Sequence, residues 1–125
     1  MSELIIGSSY RDEKTVNPED SAREYGSGTI DVFATPAMIA LMEHACLTLV
    51  SPALLKGQNT VGTNVNVRHM RATPLFKKVW CDATLLSTEG RKLLFKVEAF
   101  DEKGMIGSGT HTRYIIDEEK FLASL

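Results

Sequence analysis

Residues 34–46 read ATPAMIALMEHAC, and this stretch decides the fold. From Pro36 the chain holds strong helix formers that are apolar almost all round: Met38, Ile39, Leu41, Met42, Ala45, then Leu47 and Leu49. Thr35-Pro36 marks the start. A threonine hydroxyl can cap an exposed first-turn amide, and a proline at the first helical position forfeits no hydrogen bond. A helix apolar on every side is wrapped by other structure rather than laid on a surface. Its one formal charge, Glu43, sits among apolar neighbours, since helical spacing places it beside Pro36, Ile39, Ala40, Cys46, Leu47 and Val50. A carboxylate in that position needs a reason.

Downstream, Pro52 ends the helix or opens one further turn, and Lys56 to Asn59 form the exit loop. The period then changes to two. Val61 to Thr73 alternates, with Val65, Val67, His69 and Arg71 on one face, and Pro74 stops it. Val79 to Ser87 and Lys92 to Asp101 are β-rich runs joined as a hairpin around Glu89-Gly90, and Met105 to Ile116 follows a second tight turn. The small residues opening the last run, Gly107-Ser108-Gly109, mark a strand that another element approaches closely. Asp117 to Leu125 adds a short helix or an edge extension. Upstream, residues 1–28 are mixed and polar and read as a variable N-terminal segment, with Tyr25 to Gly28 a loop.

One long apolar helix followed by about four antiparallel strands predicts an α+β domain with the sheet curled about the helix. Such a sheet leaves part of the helix bare, and a second copy of the chain is the simplest cover, so a homodimer is expected. At 125 residues, with 43% hydrophobic residues, the chain fits one domain over 1–125. A net charge of −2 lacks the basic signature of a nucleic-acid partner. The apolar run Ala45 to Leu55 is too short to span a bilayer, and the N-terminus has no secretory or transit pattern. Cys46 and Cys81 read as free buried thiols, so the expected location is the cytoplasm.

Three residues form a candidate chemical set: Thr35, Glu43 and His69. A carboxylate and an imidazole sharing a poorly hydrated pocket tune one another toward neutral pH, as a general acid/base pair requires. Thr35 adds a hydroxyl beside helix amides that favour developing negative charge. Taken singly, Thr35 is a helix cap and His69 a core histidine. His44 points about 100° away from Glu43 around the helix. His111 shares a face with Arg113, as a structural residue or as part of a site. No HExxH, CxxC or phosphate-loop spacing occurs, so no metal and no cofactor are expected.

The segments VFATPAMIALMEHAC, VGTNVNVRHMRATP, EGRKLLFKVEAFDE and IGSGTHTRYIIDEEKF, in this order and spacing, resemble the hotdog-fold thioesterases of the fluoroacetyl-CoA thioesterase type over about residues 31–122. The resemblance implies a hotdog fold that dimerises with sites at the subunit interface. It implies catalytic roles for Thr35, Glu43 and His69, and places Gly62 and Arg113 near the thioester. Glu43 is then the nucleophile or the base for water, and His69 the acid/base. Upstream, SAREYGSGTID is nearly without aromatics where the family enzyme has an aromatic-rich lid, which points to a different short- or medium-chain acyl-CoA. Arg68, Arg71, Lys77, Lys78 and Arg91 are candidates for the phosphates of CoA. The competing classes are a non-catalytic acyl-CoA-binding module and a hotdog hydratase or dehydratase.

Overall fold

The computed structural model describes residues 3–125. Its elements in chain order are β1 (Ser9–Thr15), α1 (Ala22–Tyr25), α2 (Thr35–Val50), β2 (Gln58–His69), β3 (Lys78–Glu89), β4 (Lys92–Asp101), β5 (Gly104–Asp117) and α3 (Glu118–Ala123). The strands make one antiparallel sheet ordered β1-β3-β4-β5-β2, and α2 packs against β1, β2, β3 and β4. This is the hotdog arrangement.

The core lies between α2 and the concave face of the sheet. Met38, Met42, Ala45 and Cys46 of α2 meet Val79, Cys81, Ala83, Leu93, Phe95, Val97 and Ala99, all fully or almost fully buried. Strands β3 and β4 alternate buried and half-exposed side chains, so one face meets the helix. Thr35–Ala53 is apolar and long enough to cross a membrane, and in this fold one side of it packs into the core.

Three expectations change. Five strands replace about four, because Ser9–Thr15 pairs with β3 despite its charges. Tyr25 ends a one-turn helix, with the Ser21 side chain accepting from the Glu24 amide and left-handed Gly26 closing it, where a loop was expected. Strand β2 begins at Gln58 and stops at His69, short of Thr73; beyond it the Met70 amide donates to the Ile106 carbonyl at 2.7 Å. An Asp101 buckle holds this exit. Its carboxylate accepts from Arg71 Nη2 (2.6 Å), Thr73 Oγ1 (2.8 Å) and the Lys103 amide (2.8 Å). Burial alone would raise the Asp101 carboxyl, but these donors outweigh it and hold it below its usual value.

Two edges of the sheet differ. At one, β1 is short and charged, features that discourage further pairing. The other, β2, is 12 residues long, with Gly62 to Asn66 exposed. Beside it α2 presents Pro36 and, half-buried, Ile39, Glu43 and Leu47. Thus the stripe around Glu43 is only partly covered within one chain.

Candidate active site

Thr35 is the first residue of α2, and Ala34 occupies the capping position with no side-chain bond, so the threonine is not a cap. Its hydroxyl is instead 2.8 Å from His69 Nδ1, at the end of β2. His69 Nε2 is buried and has no hydrogen-bond partner among the described residues. Desolvation lowers the imidazole pKa below its ordinary value, which favours the neutral ring. The Thr35–His69 pair opens into a cavity of about 350 Å³ lined by Ala22, Ser27, Phe33 and Arg71 among others. Tyr25 lines a different cavity, with His44.

Glu43 lies eight residues along the helix from Thr35, an axial rise of about 12 Å. It does not meet His69 within the chain; the structure separates the pair that the shared faces suggested. Glu43 faces Arg113 and His111 on β5, with Oε2 3.6 Å from Arg113 Nη1 and 3.9 Å from His111 Nε2. Its side chain is 41% exposed in the single chain, so it is not the buried carboxylate that its apolar neighbours implied.

Arg113 is almost fully buried. Its Nε donates to Thr60 Oγ1 at 2.8 Å and its Nη2 to the Thr60 carbonyl at 2.9 Å. Burial lowers the guanidinium pKa, yet the group remains charged in any accessible pH range. Gly62 makes room for this cluster. A Cβ there would lie 2.8 Å from Glu43 Oε2, 3.0 Å from His111 Cε1 and 3.3 Å from Arg113 Nη1. Strand β2 is irregular at this point, its register with β5 shifting between Gly62 and Asn64.

The structure therefore gathers the five sequence candidates into two groups: Thr35 with His69, and Glu43 with Gly62 and Arg113. Sequence reasoning left His111 open and missed Thr60. Polar side chains at core-facing strand positions were the available signal, because such groups need partners. His44 turns to Asp12 of β1, its Nδ1 2.5 Å from the carboxylate. Of the cations considered for CoA phosphates, Arg71 pairs with Asp101, Arg91 with Asp117 at 3.3 Å, and Lys78 faces Glu13 at 4.0 Å. Arg68 and Lys77 are exposed.

The hotdog sheet around one helix places this fold among those of the thioesterase superfamily. The chain belongs to the fluoroacetyl-CoA-specific thioesterase family, whose sequence pattern matches residues 16–119. The fluoroacetyl-CoA thioesterase of Streptantibioticus cattleyicolor is 45% identical over 95 residues, 76% of this chain and 68% of that one. A solved structure of the fluoroacetyl-CoA thioesterase FlK superposes with a TM-score of 0.93 at 37% identity, covering 98% of this chain and 96% of FlK. A Thermus thermophilus hypothetical protein, described as a thioesterase superfamily member, superposes with a TM-score of 0.91 at 30% identity over 99% of this chain and 92% of that one.

Proposed function

We propose that this thioesterase hydrolyses a short- or medium-chain acyl-CoA other than fluoroacetyl-CoA, in the cytoplasm, at sites formed between the two protomers of a homodimer. The observation that carries the two-protomer reading is the separation of the Thr35–His69 pair from Glu43 on one helix. The long exposed edge of β2 beside a half-covered apolar stripe of α2 supports the same arrangement. Pairing two such edges would remove the edge, cover the stripe and set Glu43 of one chain against His69 of the other.

In that arrangement Glu43 acts on the thioester carbonyl in one of two ways. As nucleophile it forms a mixed anhydride and expels the CoA thiolate, and water then cleaves the anhydride. As base it takes a proton from water, which attacks the carbonyl directly. In the first route His69, with a free Nε2, takes a proton from the water that cleaves the anhydride and passes it to the thiolate; in the second it relays to sulfur the proton that Glu43 took from water. Thr35 holds Nδ1 and so orients the ring. The Thr35 and Ala37 amides, which have no intrahelical acceptor at the first turn, favour the developing oxyanion. Small Ala22 and Ser27 beside the Thr35 cavity, with Tyr25 turned elsewhere, support an acyl group larger than fluoroacetyl.

The test is thiol release from a series of acyl-CoAs of increasing chain length, with Glu43→Gln and His69→Ala alongside. Hydrolysis of propionyl- to hexanoyl-CoA above fluoroacetyl-CoA, lost in both variants, is the expected result. Full turnover in Glu43→Gln would remove the acid from the mechanism.

A further inference from the structure

His111 lies outside the Thr35–Glu43–His69 set, yet it is 1% exposed and its ring faces the Glu43 cluster. Its protonation state follows from its neighbours. Nδ1 is 2.7 Å from the Asn64 carbonyl, which can only accept, so Nδ1 carries the hydrogen. Nε2 is 3.1 Å from Arg113 Nη1, which can only donate, so Nε2 presents its lone pair. The ring is therefore neutral and in one tautomer. Desolvation and Arg113 both press its pKa below the ordinary imidazole value, in agreement with that geometry. The 3.9 Å approach of Nε2 to Glu43 is then not an ion pair, since no proton lies between them.

The guanidinium is the group thus controlled. Thr60 holds Nε and Nη2, which leaves Nη1 as the end that faces Glu43. Nη1 gives one of its two hydrogens to His111 at 3.1 Å, and this bond holds it 3.6 Å from Glu43, beyond hydrogen-bond reach, so the carboxylate keeps only the charge attraction. A free Arg–carboxylate pair tends to close into two parallel hydrogen bonds, which would occupy the lone pairs a nucleophile or base must use. We propose that His111 is a positioning residue for thioester hydrolysis, holding Arg113 Nη1 at charge-pairing distance from Glu43 while diverting its hydrogen bond. The proposal rests on the reading of Glu43 as the reacting carboxylate.

Two variants separate this role from simple packing. His111→Leu keeps the volume and removes the acceptor; His111→Gln restores an acceptor near the place of Nε2. Expected is a fall in kcat of about tenfold or more for His111→Leu with KM within about twofold, and kcat within about threefold of the wild type for His111→Gln. Equal kcat in the two variants, whether both normal or both impaired, would overturn the proposal. Nitrogen-15 NMR of the wild-type protein at pH 7 gives a second measurement that needs no variant to fold. It should show a neutral His111 with hydrogen on Nδ1; an imidazolium or the opposite tautomer refutes the assignment. Glu43→Gln in the same assay distinguishes the two failures. If it is inactive while His111→Leu turns over normally, only the positioning role falls. If it is active, the reading of Glu43 falls and takes the positioning role with it.

Discussion

Gly62→Ala adds one methyl group where the Glu43 cluster has no room for it. Its Cβ would sit 2.8 Å from Glu43 Oε2, while an ordinary carbon–oxygen contact begins near 3.3 Å, so the carboxylate must retreat by about 0.5 Å. It is free to do so, because it is the end of a flexible side chain that is 41% exposed in the protomer. Gly62 has no positive φ, so alanine fits the backbone. The buried His111 must give as well, since its Cε1 would lie 3.0 Å from the new methyl, so the fold should lose about 1–3 kcal/mol, the range for overpacking, and still form. Catalysis has no such slack. A displacement of that size at a reacting group costs about ten- to a hundredfold in kcat/KM, or about 1.4–2.7 kcal/mol in the barrier. The assay is thiol release on the best acyl-CoA, with the melting temperature measured on the same preparation. An enzyme that folds and hydrolyses like the wild type would refute the reasoning, for it would mean that the position of Glu43 does not govern the rate.

Other expectations follow from the two half-sites and the buried imidazoles. Thr35→Ala removes the hydroxyl on His69 Nδ1 and should cost about tenfold in kcat, whereas Thr35→Ser keeps the bond and most of the activity; equal rates in the two would refute the orienting role. Refolding Glu43→Gln and His69→Ala together should restore about a quarter of wild-type turnover, since half of a statistical mixture is mixed dimers, each with one intact site. No recovery in verified mixed dimers would place both residues of each site in one chain. His69 and His111 titrate below 6.5 when folded, so the unfolded chain binds protons first as pH drops. Their contribution is therefore full above about pH 6.5 and lost below it, and the urea midpoint at about pH 5.5 should lie under that at about pH 7.5. An equal or higher midpoint at the lower pH would contradict this sign.

The sequence was most legible where burial is uniform. Helix α2 ends at Val50 with a further turn at Ser51–Ala53, near where Pro52 placed its end, because it is one run of apolar helix formers bounded by prolines, and β4 spans Lys92–Asp101 as expected because its side chains alternate at the strand period. Strand β1 was illegible for the opposite reason. SYRDEKT lies at an edge with little buried surface, and its pairing with β3 comes from backbone hydrogen bonds rather than from a hydrophobic face. Within the site, residue types could be read but not distances. Glu43 and His69 both lie on elements that border the core, yet Glu43 is two turns from the end of the helix that His69 reaches. Thr35 looked like a cap because capping depends only on local spacing, whereas its bond to His69 crosses 34 residues of chain. The role of His111 depends on Asn64 and Arg113 together, and alternation along one strand carries no information about the opposite one.

A rod that is apolar around its girth has little to tell it which way to face, since almost any rotation against a greasy sheet buries similar area. Gly107 supplies the missing index mark. A Cβ there would meet Met38 Sδ at 2.6 Å, so the thioether drops into a notch that any side chain would fill. Met38 is one turn beyond Thr35, and Gly107 is the cross-strand neighbour of His69. The notch therefore fixes the angular phase of the helix beside the threonine and the histidine that must meet, and a single absent methyl group aligns two elements distant in the chain.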